Sequence, residues 1–212
     1  MSRHAEHAAL LVIDLERGFL DESSPLCIRG AAATLPACEQ AITYARTQGM
    51  PVFFIHRTYR TNGSDVEACR YPGWQAGGKP LAPGSVGPGS IETPPEVTPQ
   101  AGDYVMQKPR FSAFFQTELD LILRRLGIRT LYLAGTTTPN CIRTTCYDGL
   151  SLDYNIGVLT DCCSSNSPEI QQANLTDMAN IGATLMTCAQ FCAGKQATDW
   201  TGMVQKALGL EP

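Results

Sequence analysis

One of the nine cysteines in this chain has a sequence setting that favours nucleophilic chemistry. Cys141 follows an apolar run at 131–134, a short Gly-Thr-Thr-Thr-Pro-Asn segment and the predicted start of a helix. A thiol at a helix N-terminus lies near the positive end of the helix dipole and near unpaired N–H groups, which favour the thiolate. The same N–H groups can bind the oxyanion that forms when sulfur attacks a carbonyl carbon. Cys141 is therefore the candidate nucleophile.

The other cysteines fit a packing role better. The cysteine count is odd, the chain is long for a disulfide-stapled domain, and the N-terminus lacks an apolar export signal. We therefore expect most cysteines to be reduced and buried. Packing accounts best for Cys27, Cys38, Cys188 and Cys192. Cys162 and Cys163 are adjacent and follow a predicted strand, so packing is favoured for them and a redox role stays open.

A cysteine nucleophile needs a partner for its proton, and in many cysteine enzymes that partner is histidine. The chain has three histidines. His4 and His7 are expected in a mobile N-terminal tail, which leaves His56 at the end of a predicted strand as the one candidate for a Cys-His dyad. Lysine and aspartate can replace histidine, because an ammonium stabilises a thiolate and a carboxylate accepts the proton and later passes it to the departing amine.

Asp14 and Lys108 are the residues placed to act in this way. Asp14 closes the first predicted strand, and Lys108 follows the short run at 104–106 and precedes Pro109. Each has an ordinary alternative, because strand-end aspartates commonly cap turns and most lysines are solvated on the surface. Neither residue identifies a site by itself.

The elements that must position these residues alternate between strands and helices. Continuous apolar runs predict buried parallel strands, and three-four spacing of apolar residues predicts helices. The predicted strands lie at 9–14, 51–56, 104–106, 131–134, 156–159 and 183–187. Helices are predicted before Gly49, before Gly127, from about Asn140 and from Pro168. This order predicts a three-layer α/β/α fold with a mostly parallel, doubly wound sheet, in which ligands bind outside the carboxyl ends of the strands.

Length and composition indicate one domain over residues 1–212. Apolar residues make up 43% of the chain and charged residues 17%, as in ordinary globular proteins. The segment at about 57–102 is rich in Gly and Pro and has no helical or strand periodicity. A segment of that kind is typically a lid, a binding loop or an oligomer arm.

Charge and hydropathy exclude two classes of partner. The formal net charge is -4 and no Lys/Arg cluster is present, so we expect no nucleic-acid partner. No apolar run approaches the roughly 20 residues that span a bilayer, so we expect no membrane association and a cytoplasmic location.

Three segments share a pattern with a known family, in the same order and spacing. They are Asp14 to Phe19, Lys108 to Phe114, and Gly135 through Cys141 to Gly149. With this pattern the chain resembles the isochorismatase-like cysteine hydrolases, which include nicotinamidases, N-carbamoylsarcosine amidase, and ureidoacrylate and biuret hydrolases. The resemblance spans the chain from its first predicted strand to its fifth and implies a six-stranded sheet.

The resemblance implies specific roles for residues of this chain. It implies a catalytic triad of Asp14, Lys108 and Cys141. It implies an oxyanion hole formed by the backbone N–H groups of Thr137 and Cys141, with a non-proline cis peptide bond between Thr136 and Thr137. It also implies a homo-oligomer, either a dimer or a tetramer.

Two departures from the family pattern matter. Glu16 stands where the family often has Gln. Nicotinamidases also carry a metal site built from an Asp and several His residues after the second strand, whereas His56 is the one histidine in that region of this chain. After it come Arg57, Arg60, Asp65, Glu67 and Arg70. We therefore predict no metal and no cofactor, a metal-free branch of the family, and a substrate other than nicotinamide.

Several residues are candidates for substrate contact. Binding sites are mostly apolar with a few placed polar groups. The candidates are Phe19, Tyr59, Trp74, Phe111 and Tyr147, with Thr138 near the nucleophile. Each aromatic could equally pack in the core or between subunits. Arg60 and Arg70 could bind a substrate carboxylate in a bidentate pair, although pairing with Asp65 and Glu67 is the commoner arrangement.

The leading hypothesis is a cysteine hydrolase that cleaves a C–N bond of a small amide, ureide or carbamoyl compound. Cys141 attacks the carbonyl carbon, ammonia or an amine leaves, and water hydrolyses the thioester. The alternative is a catalytically idle small-molecule-binding protein or a thiol redox protein on the same fold, since a fold does not assign a function.

Overall fold

The computed structural model describes residues 6–210, and its centre is a six-stranded sheet in the order β3-β2-β1-β4-β5-β6. Every strand pair is parallel, so the sheet is all-parallel where a mostly parallel one was expected. The chain winds outward from β1 to β3, then returns to β4 and winds to the other edge. The strands are β1 (Ala8–Ile13), β2 (Val52–Arg57), β3 (Tyr104–Lys108), β4 (Thr130–Thr136), β5 (Asn155–Ser164) and β6 (Thr184–Met186).

Helices cover both faces of the sheet. They are α1 (Arg17–Leu20), α2 (Leu35–Thr47), α3 (Tyr71–Ala76), α4 (Leu119–Arg125), α5 (Arg143–Ser151), α6 (Pro168–Asn180), α7 (Cys188–Cys192) and α8 (Trp200–Ala207), with a π-helical turn at Thr138–Ile142. Residues of α2 and α7 pack on one face, and residues of α4, α5 and α6 pack on the other. None of the described helices is long and apolar enough to cross a membrane.

The two faces explain why β1 is apolar at every position. Leu10 and Val12 belong to the core shared with α2 and α7, whereas Leu11 and Ile13 belong to the core shared with α4, α5 and α6. Successive side chains of a strand point to opposite faces, so a strand covered on both sides needs continuous rather than alternating apolar residues. The sequence therefore predicts this strand and its parallel neighbours well.

The segment at 57–102 folds back on its own chain. It contains α3 and two short 3-10 turns, and it contributes Tyr59, Val66, Trp74 and Leu81 to a small apolar cluster with Phe19. The helix was not expected, because only six residues of regular structure lie within a segment otherwise rich in Gly and Pro. This segment forms one wall of the cavity described below.

Gly135 lets the ends of β1 and β4 approach closely. Its φ is +118°, and a Cβ placed there would lie 1.9 Å from the carbonyl oxygen of Ile13. Only glycine combines this backbone conformation with so close a contact. The approach brings the residue after β1, Asp14, next to the turn after β4, which carries Cys141.

Candidate active site

An ion pair between Asp14 and Lys108 lies at the carboxyl edge of the sheet. Asp14 follows β1 directly with a φ of +53°, and Lys108 is the last residue of β3. The Nζ of Lys108 donates to Oδ2 of Asp14 at 2.7 Å and to the backbone oxygen of Arg110 at 3.2 Å. The side chains are 0% and 1% exposed. The structure thus joins two residues that lie 94 positions apart in the chain.

The Cys141 thiol is buried beside this pair, in the π-helical turn that precedes α5. Burial raises the pKa of Cys141 to about 12, and the negative charge of Asp14 adds to this effect. The positive charges of Lys108 and Arg57 act in the opposite direction. Cys141 is therefore a neutral thiol near pH 7. This state differs from the expected preference for the thiolate, because desolvation outweighs the charges of the nearby cations.

One oxygen of Asp14 is free to take part in proton transfer. Lys108 occupies Oδ2, whereas Oδ1 is buried and has no hydrogen-bond partner among the described residues. Buried polar atoms without partners are rare in proteins and call for an explanation. A carboxylate oxygen held beside a buried thiol is placed to accept its proton, which is the role that a general base performs.

A second buried cation, Arg57, contacts the same region from the end of β2. Its guanidinium group donates to the Tyr59 hydroxyl at 2.8 Å and to the Glu67 carboxylate. Burial opposes the charged form of Glu67, but the Arg57 charge holds the pKa of that carboxyl below its usual value. Burial raises the pKa of Tyr59 to about 12. The Arg57 charge is thus matched by a carboxylate on the side of the segment at 57–102.

Glu16 and His56 form a buried titrating pair close to Asp14. Glu16 is 0% exposed, and its Oε1 accepts the backbone N–H of Arg57 and lies 3.3 Å from Nδ1 of His56. Its Oε2 has no partner in the described part of the chain. Burial, reinforced by the Asp14 charge, raises the pKa of Glu16. Burial lowers the pKa of His56, but the contact with Glu16 outweighs this effect and raises it.

This pair predicts a pH dependence of stability that Glu16→Gln should reduce. Both pKa values are raised, so the folded protein binds more protons than the unfolded chain. Glu16 stabilises the fold fully below about pH 4.5 and His56 below about pH 6.5, and each contribution is lost as pH rises through the raised folded pKa. Glutamine keeps the acceptor for the Arg57 N–H without a titrating charge.

Urea unfolding between pH 5 and pH 8 measures this effect. The unfolding free energy of the wild-type protein should fall with rising pH by on the order of 1 kcal/mol more than that of Glu16→Gln. Parallel curves for the two proteins would show that Glu16 and His56 do not titrate as described.

A cavity of about 480 Å³ opens beside Cys141. Five of the residues expected to contact substrate line it, together with Thr137 and Cys141. They are Phe19, Tyr59, Arg70, Trp74 and Phe111. The wall opposite Cys141 comes from the segment at 57–102 of the same chain. Seven of its eighteen lining residues were thus singled out from the sequence.

Three other expected substrate contacts lie outside this cavity. The Arg60 side chain is 76% exposed beside Asp65. Thr138 is buried within the π-helical turn. The Tyr147 hydroxyl donates to Asp177 at 2.7 Å, and its ring lines a separate groove. None of the three is retained as a substrate contact.

Some cavity residues were not singled out from the sequence. They are Arg57, Asn140, Asn166, Cys27 and Cys69, among others that are mainly apolar. Arg57 had a usable signal, because it ends a strand on the edge that also carries Asp14 and Lys108. Asn166 had none, because it reaches the cavity from the loop after β5.

The histidines contribute nothing further to this site. His4 lies outside the described residues. His7 is held at the opposite end of β1, where its Nδ1 lies 2.8 Å from the carbonyl oxygen of Gly127, so the expectation of a mobile tail was wrong for this residue. His56 contacts Glu16. Between residues 6 and 210, no three His, Cys, Asp or Glu side chains are grouped so that they could hold a metal ion.

The fold and the site define a doubly wound α/β protein with a buried cysteine beside a lysine–aspartate pair. A family model described as the isochorismatase domain matches residues 8–190. The chain therefore belongs to the isochorismatase family of hydrolases. The family resemblance and the fold class predicted from the sequence are thereby confirmed.

Individual relatives match nearly the whole chain. A protein of Arabidopsis thaliana named "Probable inactive nicotinamidase" is 36% identical over 90% of this chain and 97% of its own length. The ureidoacrylate amidohydrolase of Stutzerimonas stutzeri is 29% identical over 91% of this chain and 84% of its own. The crystal structure of an isochorismatase family protein from Desulfovibrio vulgaris is 37% identical, covers 88% of this chain and 96% of its own, and superposes with a TM-score of 0.83.

Proposed function

We propose that this protein is a cysteine hydrolase that cleaves a C–N bond of a small carbamoyl, ureide or amide compound through a thioester intermediate. The observation that carries the proposal is the buried Lys108–Asp14 pair beside Cys141, with Oδ1 of Asp14 left free. A purely structural ion pair has no need of a neighbouring thiol or of an unsatisfied oxygen. An acid–base catalyst needs both.

In the first half of the reaction, the Cys141 sulfur attacks the carbonyl carbon while Asp14 accepts the thiol proton. Coupling proton transfer to attack suits a thiol whose pKa is about 12, because a free thiolate is scarce near pH 7. Protonation of Asp14 leaves Lys108 without its anion, so its positive charge stabilises the negative charge that develops on sulfur and passes to the carbonyl oxygen as the C–S bond forms. The backbone N–H groups of Thr137 and Cys141 hold the oxyanion.

In the second half, the tetrahedral intermediate collapses and Asp14 passes its proton to the departing nitrogen. Ammonia or an amine leaves and the acyl group stays on Cys141 as a thioester. Asp14 next removes a proton from water as the water attacks the thioester. The acid product leaves, and the proton on Asp14 returns to the Cys141 sulfur. Each step uses the same carboxylate, alternately as base and acid.

The relatives support a carbamoyl or ureide substrate. The relative from Stutzerimonas stutzeri is named for hydrolysis of ureidoacrylate, and it matches over nine-tenths of this chain. The cavity volume is suited to a small substrate, since ligand sites for compact molecules lie in this size range. His56 is engaged with Glu16, so the metal-dependent route of nicotinamidases is not part of this proposal.

A second candidate is a ligand-binding protein without catalysis. One observation favours it: the relative from Arabidopsis thaliana is named "Probable inactive nicotinamidase". In this candidate the cavity and the charged pair would bind a small molecule, and Cys141 would remain a thiol throughout. The two candidate functions differ only in whether the bound small molecule is hydrolysed.

An ammonia-release screen separates them. The purified protein is incubated with small amides, ureas and N-carbamoyl compounds, and free ammonia is measured by a coupled assay. Release from at least one carbamoyl or ureide compound, absent with Cys141→Ala, supports the hydrolase. Release that persists in Cys141→Ala would contradict Cys141 as the nucleophile. No release from any compound, while thermal shifts report binding, supports the second candidate.

A further inference from the structure

Four cysteine side chains lie together on the sheet face that Cys141 does not occupy. Cys38 of α2, Cys162 of β5 and Cys188 of α7 belong to the apolar core on that face, and Cys192 packs against this core. Cys141 belongs to the core on the other face. All four are free thiols. The reaction proposed for Cys141 therefore gives this thiol cluster no role.

Two of these thiols contact each other directly. The Sγ atoms of Cys188 and Cys192, the first and last residues of α7, are 3.9 Å apart. In a disulfide the two sulfur atoms are about 2.05 Å apart, so this pair has to close by about 2 Å. Within the described part of the chain, no three of the cluster's thiols are grouped so that they could hold a metal ion. The geometry therefore favours chemistry between two sulfur atoms over metal binding.

The backbone at Cys192 can make the movement that a disulfide needs. In a helix the Cβ atoms of residues i and i+4 are roughly 5–6 Å apart, whereas a disulfide needs roughly 3.5–4.5 Å. Helix α7 has only five residues and ends at Cys192. Gly194 follows with a φ of +87°, and residues 195–199 have no helical or strand structure. Because helix ends fray, the last turn of α7 can bring the two Cβ atoms closer without moving the sheet.

The surroundings of the pair make Cys188 the more reactive thiol. Hydrogen bonding with the thiols of Cys162 and Cys192 lowers the pKa of Cys188, whereas burial and the Asp161 charge act in the opposite direction. Burial raises the pKa of Cys192. The thiolate is the form of cysteine that peroxides oxidise. Cys192 is partly exposed, so a molecule as small as hydrogen peroxide can approach the pair from its side.

We propose that Cys188 and Cys192 form a reversible disulfide and are a redox-active site of this protein, separate from Cys141. The oxidant is a peroxide. The Cys188 sulfur attacks one oxygen of hydrogen peroxide, the O–O bond breaks, and Cys188 becomes a sulfenic acid as one water leaves. The Cys192 sulfur then attacks the Cys188 sulfur, the S–O bond breaks, and a second water leaves with the Cys192 proton.

The electrons and atoms of this cycle balance. The two thiols lose two electrons and two protons, and hydrogen peroxide is reduced to two waters. A small thiol such as glutathione reverses the reaction by thiol–disulfide exchange. Two molecules of glutathione then become one molecule of oxidised glutathione, and both cysteines return to thiols.

Peptide mapping of the oxidised protein tests this proposal. The reduced full-length protein is treated with hydrogen peroxide at pH 7, and the remaining thiols are blocked with N-ethylmaleimide. Chymotrypsin cleaves after Phe191, between the two cysteines, so the disulfide is identified as two linked peptides that separate on reduction. The wild-type protein should give this linked pair, and excess glutathione added before blocking should remove it.

Cys192→Ser and Cys27→Ser form the matched comparison. Cys27 is partly exposed, as Cys192 is, but it lines the cavity beside Cys141 and lies outside the thiol cluster. Cys27→Ser should form the linked pair at a rate within about 2-fold of the wild-type rate, because distant sites act independently. Cys192→Ser should form none. Its Cys188 should instead remain a sulfenic acid, which dimedone should label at least about 10-fold more than in the wild-type protein.

Other results would overturn the proposal. If peroxide oxidises other cysteines while Cys188 and Cys192 stay thiols, their contact is packing alone. Linkage of Cys188 to Cys162 would assign the redox site to a different pair. A disulfide that excess glutathione leaves intact would be a fixed cross-link. None of these measurements requires hydrolysis, so the redox site can be disproved while the hydrolase proposal stands, and the reverse.

Discussion

Cys141→Ala should lower kcat/KM for any hydrolysed substrate by at least about 10⁴-fold, because it removes the atom that forms the thioester. The cavity and the N–H groups proposed to bind the oxyanion remain, so substrate affinity should change little. Steady-state kinetics and an equilibrium binding measurement on the same variant separate the two effects. A loss of rate without a loss of binding is the expected pattern.

Cys146→Ala is the matched control for this variant. Cys146 lies in α5, which follows the turn that holds Cys141, and it is equally a buried thiol whose pKa burial raises to about 12. It does not line the cavity. Its removal should reduce stability modestly and leave kcat/KM within a few-fold of the wild-type value. If the two variants lose activity equally, the loss reports packing of this region and not nucleophilic attack.

The Asp14–Lys108 pair predicts a double-mutant cycle in which stability and activity separate. Lys108→Met leaves the Asp14 carboxylate buried without its cation, and Asp14→Asn leaves the Lys108 ammonium without its anion. Each single variant should lose about 3–5 kcal/mol of unfolding free energy, because an uncompensated buried charge is strongly destabilising. The double variant should be less destabilised than the sum of the two, since it buries neither charge.

Activity should not follow stability in this cycle. All three variants should lose at least about 10³-fold in kcat, because each removes the proposed proton carrier, the proposed charge-balancing cation or both. Arg17→Met, which breaks an exposed ion pair with Asp21, serves as control and should leave both stability and activity near wild type. Recovery of activity along with stability in the double variant would reduce the pair to a structural role.

Much of this architecture can be predicted from the amino-acid sequence. Buried parallel strands are continuous apolar runs, and their carboxyl ends lie at one edge of the sheet, so Asp14, Lys108 and the turn before Cys141 could be expected there. Periodicity alone did not predict that Asp14 and Lys108, which lie at the ends of different strands, form an ion pair. The motif resemblance supplied that link, and the structure places the Lys108 ammonium on the Asp14 carboxylate.

Side-chain direction and desolvation were beyond the sequence. Thr138 lies two residues after the end of β4, yet the π-helical turn buries it away from the cavity, and this turn has no sequence signal of its own. Tyr147 faces α6, where Asp177 holds it. The ionisation state of Cys141 was also misjudged, since a helix terminus is visible in the sequence but the extent of burial is not.

The roles of the three arginines also could not be predicted from the sequence, because they depend on side-chain direction and burial. From the sequence, Arg60 and Arg70 were equivalent candidates and Arg57 was only the first residue of a long loop. In the structure, Arg57 extends β2 by one residue and Glu67 folds back to neutralise it, so its charge is internal. Arg70 is left in the cavity without a carboxylate partner among the described residues, and Arg60 points to solvent.

Intact-protein mass spectrometry during turnover can detect the proposed thioester on Cys141 itself. The protein is mixed with a substrate from the ammonia-release screen, and the reaction is quenched in acid within milliseconds to seconds. The mass of the intact protein is then measured. We expect a transient mass increase equal to the acyl part of the substrate, located on Cys141 by peptide mapping and absent from Cys141→Ala. Rapid ammonia release with no acylated protein at any time, or an adduct that persists in Cys141→Ala, would contradict it.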